Sequence, residues 1–263
     1  MQGVGAPAYN IVNQLNGTYL AGTGRTAFRY AVGGDNSWRI ACRVGASGVS
    51  IMPLTIPGDT TPVEAHFIDS DYADVIYGAL NGLLFGVESV WINGIECKIT
   101  VNEAHTTNYI ARKEVGSQIV ITRPTIIWTE IMQNHRDDTF VIWAGTNDNL
   151  NANNVQNTFE NIDNIINIMN SDRYIIMGMT SKANMPDIDL INEKFASKYG
   201  SKFLNIRQYL IRYGMDDNSL TNPTYTLDDQ IPDQLLYDAT HFNRYGYNSC
   251  AKAIYNMITD YKY

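Results

Sequence analysis

The second half of the chain alternates between short apolar runs and segments with helical spacing. TFVIWA (139–144) and RYIIMGMT (173–180) are apolar runs of the length that is typical of buried strands. Between and after them, residues 154–170 and 185–200 repeat apolar side chains at helical spacing, and the second of these segments ends at Gly200. Strands separated by helices of this length favour a parallel sheet with helices on both faces. The pattern therefore predicts an α/β fold.

Residues 44–137 show a different pattern, in which short β-rich runs are separated by Gly, Pro, Asn and Asp. Val90–Ile92, Asn93-Gly94 and Ile95–Val101 together predict a hairpin, because Asn-Gly favours a two-residue turn. Upstream of this region, TAFRYAVGG (26–34) predicts a strand that ends at a glycine turn. We therefore divide the chain into a first part of an α/β domain (1–43), a β-rich insertion (44–137) and the second part of the domain (138–263).

Charge and composition limit the classes of partner. The formal net charge of the 263 residues is −8. Proteins that bind nucleic acid or anionic membrane surfaces are expected to carry a basic face, so neither is expected as a partner. No apolar run approaches the roughly 20 residues that a membrane helix needs, and MQGVGAPAYN at the start has no features of a signal peptide. Cys42, Cys97 and Cys250 are far apart in sequence and form no CxxC pair, which predicts buried free thiols.

Three short stretches carry residues suited to acyl chemistry: VGGDNS (32–37), AGTND (144–148) and DATH (238–241). The first two follow predicted strands, and the carboxyl ends of parallel strands meet at one edge of a sheet. The Gly34 N–H and the Asn147 side-chain amide could both donate to an oxyanion. Asp238 could hold His241 in one tautomer, which would make the histidine a general base.

Each stretch also has a purely structural interpretation. Gly33-Gly34 is compatible with a plain turn, Asn147-Asp148 with a helix cap, and a single histidine with a structural role. Their joint occurrence at predicted loop positions favours a site. Residues next to these motifs are candidates to line a substrate, and they are Asp35, Trp38 and Asp148.

In these motifs the sequence resembles the SGNH (GDSL-like) hydrolases, a family of esterases, lipases and carbohydrate deacetylases. The glycine of the second family block matches Gly34, the G-x-N-D block matches 145–148, and the D-x-x-H block matches 238–241. The resemblance covers 1–43 and 138–263, and 44–137 looks like the β-rich insertion of some phage-associated and Firmicute-like members. It implies a three-layer, doubly wound, flavodoxin-like parallel sheet and hydrolysis of small acyl esters such as O-acetyl groups on carbohydrate. Neither a cofactor nor a metal is implied, and the location would be extracellular or virion-associated.

The nucleophile of that family is the serine of a G-D-S motif, which does not occur in this sequence. A strand-helix-strand unit takes roughly 30 residues, so the serine is expected at or just before residue 1. The alternatives are a cleaved chain, Ser37 acting as the nucleophile, and a non-catalytic relative. In the last case the chain would be a glycan-binding module or a structural component of a phage tail or cell surface. His66, His105 and His135 fit no metal-binding spacing and predict no metal site.

Overall fold

The structure is a computed structural model that describes residues 10–69, 74–75, 89–104, 106–180, 187–221 and 230–263. The chain divides into two compact units. The first comprises Met1–Gly33, Thr139–Asn157 and Arg173–Tyr263, and the second comprises Gly34–Asp138 and Thr158–Asp172. The sequence-based division placed the first boundary at 43/44 and left 158–172 with the α/β domain.

Most of the strands are short, and the longest of the described helices is the C-terminal one. The α-helices are α1 (Ile11–Gln14), α2 (Ser37–Val44), α3 (Gln156–Asn167), α4 (Ile188–Tyr199), α5 (Ile206–Tyr213) and α6 (Arg244–Asp260). The strands are β1 (Ser50–Ile51), β2 (Leu54–Ile56), β3 (Val63–Ala65), β4 (Phe67–Ile68), β5 (Asp74–Val75), β6 (Ser89–Ile92), β7 (Ile95–Val101), β8 (Asn108–Arg112), β9 (Ile119–Ile121), β10 (Thr125–Ile126), β11 (Trp128–Thr129), β12 (Phe140–Ile142), β13 (Tyr174–Met177) and β14 (Phe203–Leu204). Single π-helical turns occupy Leu15–Tyr19 and Ile131–His135. Short 3₁₀ turns occupy Gly200–Lys202, Asp216–Asn218 and Asp233–Leu235.

The strands of the second unit form antiparallel sheets. Their orders are β11-β6-β7-β8-β3, β10-β1-β4-β5 and β2-β9. The predicted hairpin is confirmed: Ile92 pairs with Ile95, and both Asn93 and Gly94 have positive φ. A two-residue turn of that kind matches the twist of the flanking strands. Alternating side chains of these strands, together with Cys42 from α2, form the apolar core of the unit.

The first unit contains a three-stranded parallel sheet of order β12-β13-β14. Ile142 pairs with Ile176, and Ile176 also pairs with Phe203. The long C-terminal helix α6 contributes Tyr247, Ala251, Ile254 and Met257 to the core. Among the described residues, no helix has both the length and the apolar character to cross a bilayer.

The prediction of a doubly wound, flavodoxin-like parallel sheet is wrong. In the described part of the chain, parallel pairing joins only β12, β13 and β14, whereas the remaining sheets are antiparallel. The fold is therefore mixed, and its parallel sheet is small. The alternation of strands and helices correctly indicated parallel pairing after residue 138. It did not indicate how many strands belong to the parallel sheet.

Part of this difference lies in the predicted strand 26–34, which is irregular over 26–32 and turns at Gly33-Gly34. Phe28 in this run is 59% exposed. The amide side chain of Asn16 donates to the Ala27 carbonyl at 2.9 Å and accepts from the Ala27 N–H at 2.7 Å. The Asn16 side chain thus pairs with both backbone groups of Ala27, which in a sheet would be paired by a neighbouring strand. Because a strand is stabilised by its ladder with a partner, the β-type sequence alone does not make one here.

All three cysteines are buried free thiols, as predicted. Burial raises the pKa of both Cys42 and Cys97 to about 11. It also raises the pKa of the Cys250 thiol. Thiols with raised pKa values are weak nucleophiles at neutral pH, so the cysteines act as small apolar side chains of the core.

Candidate functional site

Asp238 and His241 form a close pair in the turn that precedes α6. The His241 Nδ1 lies 3.0 Å from Oδ1 and 2.9 Å from Oδ2 of Asp238. Oδ1 also accepts hydrogen bonds from the backbone N–H of Thr240 at 2.8 Å and of His241 at 2.7 Å. The contact expected from the D-x-x-H spacing is therefore present, and the carboxylate is held by both the ring and the backbone.

These hydrogen bonds keep Asp238 ionised. The backbone N–H of His241, then that of Thr240 and then the His241 ring lower the pKa of Asp238 to about 2. An ionised carboxylate only accepts hydrogen bonds, so the proton of the neutral imidazole resides on Nδ1. Nε2 is then the nitrogen with a free lone pair. This arrangement is the one that a general-base histidine requires.

The residues on either side fix the turn. Leu236 and Phe242 form a β-bridge, and the Tyr237 N–H donates to the His241 carbonyl at 2.8 Å. Asn243 caps α6 by accepting from the N–H of Tyr245 at 2.8 Å. Its amide group also donates to backbone carbonyls before the turn, which are those of Gln234 at 2.7 Å and Leu236 at 3.1 Å. The DATH turn is thus closed at its base and anchored on a long helix.

An aromatic contact joins this turn to the carboxyl end of β12. Phe242 is 1% exposed, and its ring stacks on that of Trp143 with centroids 6.1 Å apart. Trp143 directly follows β12, and Asn147 is four residues further along the same loop. The first unit therefore brings the stem of the Asn147 loop next to the stem of the His241 turn, although 99 residues separate Trp143 from Phe242.

The backbone of the Asn147 loop requires the glycine that precedes it. Gly145 has a φ of +114°, a conformation that side chains disfavour. A Cβ at Gly145 would lie 3.0 Å from Leu150 Cδ1 and 3.1 Å from Met179 Cε. The Asp148 N–H donates to the Gly145 carbonyl at 3.0 Å and closes the turn, in which Asn147 is exposed and Asp148 is half-buried. The loop thus presents the Asn147 side chain at the surface.

Gly34 and its neighbours lie in the second unit. Gly34 is exposed and has a φ of +85°, in the left-handed region that favours glycine. Asp35, a candidate to line the substrate, is buried and forms an ion pair with Arg43. Trp38 is half-buried and packs against the apolar core of this unit. Of the predicted site residues, the first unit contains Asn147, Asp148, Asp238 and His241, and the second contains Gly34, Asp35 and Trp38.

Ser37, the alternative nucleophile, is poorly placed for that role. It is 2% exposed, and its Oγ accepts a hydrogen bond from Asn161 Nδ2 at 2.9 Å. A nucleophile must reach the substrate carbonyl, and a buried hydroxyl does not. Its burial favours a structural role in the first turn of α2.

Sequence reasoning missed a second histidine–carboxylate pair. His135 Nδ1 lies 2.7 Å from Asp138 Oδ2 in the second unit. His135 and Asp138 have the same spacing of three residues as Asp238 and His241, with the histidine first. That spacing was the sequence feature from which this pair could have been predicted. His66 lies 3.6 Å from Glu64, and His105 falls outside the described residues. Within the described ranges, no three His, Cys, Asp or Glu side chains gather as a metal-binding group.

Neither a family model nor a curated protein matches the chain. The interpretation of the site therefore rests on the three motifs and on the geometry of Asp238, His241 and the Asn147 loop.

Proposed function

We propose that this chain provides the general base and an oxyanion donor of a serine hydrolase that cleaves small acyl esters, with O-acetylated carbohydrate as the substrate class. The observation that carries the proposal is the Asp238–His241 pair, in which the carboxylate contacts Nδ1 at 2.9 Å and leaves Nε2 as the basic nitrogen. The stacking of Phe242 on Trp143 supports it, because this contact relates the base to the loop that bears Asn147. The acetyl-carbohydrate substrate rests on the motif resemblance alone.

In the first half of the proposed reaction, Nε2 of His241 takes the proton of the serine hydroxyl as its oxygen attacks the ester carbonyl. The carbonyl π electrons move onto oxygen, and the oxyanion accepts a hydrogen bond from the Asn147 side-chain amide. The intermediate then collapses, the bond to the alcohol oxygen breaks, and the leaving alcohol takes the proton from Nε2. An acyl-serine remains.

In the second half, water takes the place of the alcohol. His241 removes a proton from the water as the water oxygen attacks the acyl carbonyl, and the tetrahedral oxyanion is held by the Asn147 amide. The intermediate then collapses, the bond to the serine oxygen breaks, and that oxygen takes the proton from Nε2 as the carboxylic acid leaves. Asp238 remains ionised throughout and stabilises the imidazolium that forms twice in each cycle. Its low pKa suits this role, because a carboxyl group that stayed protonated could not stabilise the positive ring.

We propose that the nucleophilic serine is carried by a strand that pairs with the open edge of β12. Two features support this position. β12 lies at the edge of its sheet, so one side of it has no strand partner among the described residues. Val141 in β12 is 39% exposed, although a central strand would normally bury an apolar side chain. A strand added at this edge would end near the Asn147 loop, which follows β12.

The test compares three chains with a fluorophosphonate, which labels only activated serines. The first is 1–263, the second carries an added strand ending in Gly-Asp-Ser directly before Met1, and the third carries the same strand ending in Gly-Asp-Ala. We expect labelling of the second chain only. Circular dichroism and a cooperative unfolding transition establish that each chain is folded.

Two results would contradict the proposal. Strong labelling of 1–263 would show that the nucleophile lies within this sequence. A folded Gly-Asp-Ser chain that does not label would favour the alternative, a non-catalytic glycan-binding or structural module. In that case binding to O-acetylated glycans, measured by calorimetry, becomes the property to examine.

A further inference from the structure

A row of four side chains crosses one face of the five-stranded sheet in the second unit. Trp128 in β11 pairs directly with Trp91 in β6, and Trp91 pairs with Glu96 in β7. The N–H of Lys113, the residue after β8, donates to the Glu96 carbonyl at 3.2 Å and extends the row. Directly paired residues of neighbouring strands place their side chains side by side on the same face of a sheet. The sequence thus brings two aromatic and two charged side chains into one line.

The row points away from the apolar core of the unit. Val90 and Cys97, which are adjacent in sequence to two members of the row, are fully buried in the core, and successive side chains of a strand point to opposite faces. Trp128 is 40% exposed and Trp91 is half-buried. Neighbouring strands lie about 4.8 Å apart, so the row extends over roughly 14 Å, which is the length of about three pyranose rings.

The more exposed tryptophan is held in place by a cation. The guanidinium carbon of Arg136 lies 5.9 Å from the centroid of the Trp128 ring, a distance at which a cation and an indole attract each other. Arg136 Nε in turn donates to the Ile168 carbonyl, which fixes the guanidinium. An exposed ring that is already oriented loses little conformational freedom when a ligand stacks on it.

The other end of the row is polar and ionised. Lys113 Nζ lies 2.7 Å from Glu96 Oε1, and hydrogen bonds from Lys113 and then from Ser89 lower the pKa of the Glu96 carboxyl. Glu96 accepts hydrogen bonds and Lys113 donates them, so the pair offers both kinds of partner to hydroxyl groups. Glu64 and Lys98 lie on the same face and also have opposite charges. The four charges of this face therefore offset one another.

We propose that the row of Trp128, Trp91, Glu96 and Lys113 binds an uncharged oligosaccharide. The face of an indole ring carries partial negative charge, and the C–H groups on the face of a pyranose carry partial positive charge, so the two stack. The ionised pair then binds the hydroxyl groups of the adjoining sugar. The centre of a protein interface is depleted of charged residues, and an anionic ligand requires an excess of positive charge. Offset charges beside aromatic rings favour a neutral, hydroxyl-rich ligand over both. The site lies within the second unit and does not depend on the proposed function.

Calorimetry of the 1–263 chain with cellohexaose and with N-acetylchitohexaose tests the proposal, because both probes are uncharged chains of pyranose rings. We expect at least one probe to bind with a Kd below about 1 mM, and Trp128→Ala and Trp91→Ala each to weaken that binding by at least about 10-fold. Trp128→Tyr keeps an aromatic face and is expected to stay within about 3-fold of the unsubstituted chain. The control is Ile126→Ala, which truncates an exposed side chain of β10 in another sheet of the same unit and should leave binding unchanged. Circular dichroism establishes that each variant is folded.

A second readout leaves the row intact. The chain has four tryptophans, and their indole N–H signals are followed by NMR while the probe is added to the unsubstituted chain. The signals of Trp91 and Trp128 are expected to shift, and those of Trp38 and Trp143 are expected to stay in place.

Three results would overturn the inference: no binding of either probe at millimolar concentration, binding that survives both alanine substitutions, and shifts confined to Trp38 and Trp143. A dimer that Trp128→Ala dissociates, without any binding of sugar, would assign the row to a second copy of this chain. Because these measurements use the 1–263 chain and need no activity, their outcome is separate from that of fluorophosphonate labelling.

Discussion

Phe242 stacks on Trp143 with ring centroids 6.1 Å apart and an interplanar angle of 26°. One ring directly follows the candidate base His241, and the other begins the loop that presents the candidate oxyanion donor Asn147. Phe242 also meets Tyr247 of α6 edge-on at 5.9 Å. The aromatic cluster therefore joins a strand, a turn and a helix at the base of the site.

Replacing Phe242 with Ala is expected to lower the free energy of unfolding by about 3–5 kcal/mol, the usual cost of removing a fully buried phenylalanine. Urea denaturation followed by circular dichroism measures this change. Val115→Ala is the control, because Val115 is 79% exposed and its substitution is expected to change stability by less than about 0.5 kcal/mol. Equal effects of the two substitutions would show that the cluster does not stabilise the unit.

Gly145→Ala is expected to be destabilising by about 1–3 kcal/mol, because the residue has positive φ and the added methyl group would crowd Leu150 and Met179. The matched control is Gly17→Ala, where an added Cβ meets nothing within 4 Å and φ is not in the left-handed region. That substitution is expected to be neutral or slightly stabilising. Thermal unfolding of both variants checks the prediction, and a Gly145→Ala variant as stable as the Gly17→Ala variant would contradict the loop geometry.

The pH dependence of stability should reveal the Asp238 interactions. The folded pKa of Asp238, about 2, lies below the ordinary value for aspartate, so its contribution to stability is present above about pH 4 and is lost as the pH falls toward 2. Asp238→Asn should therefore destabilise the protein at pH 5 and have little effect near pH 2. Unfolding midpoints of both proteins across this range provide the measurement. A difference that stayed constant with pH would indicate that Asp238 titrates normally.

Local patterns in the sequence predicted those parts of the fold that depend on near neighbours. Helices α3 and α4 and the β6–β7 hairpin lie where apolar spacing and the Asn-Gly turn predicted them. The Asp238–His241 contact is local for the same reason, since three residues separate the partners.

Features that depend on distant partners were not predictable in the same way. Residues 26–32 have a β-type sequence, but a strand needs a neighbour, and the run is irregular. The amino-acid sequence does not distinguish the buried side chains of Asp35 and Arg43 from exposed charged side chains, because their burial depends on the packing around α2. The stacking of Trp143 on Phe242 joins segments 99 residues apart, which no local pattern can indicate.

The central claim is that His241 is the general base for a serine on an added N-terminal strand, and a double-mutant cycle tests it most directly. The measurement is kcat/KM for p-nitrophenyl acetate of the chain extended with Gly-Asp-Ser, with that serine changed to Ala, with His241→Ala, and with both changes. Serine and base act as one unit, so each single change should remove nearly all of the activity gained by the extension, and the double variant should lose little more. If His241→Ala retains the activity of the extended chain, or if the two losses simply multiply, His241 is not the base and the account is contradicted.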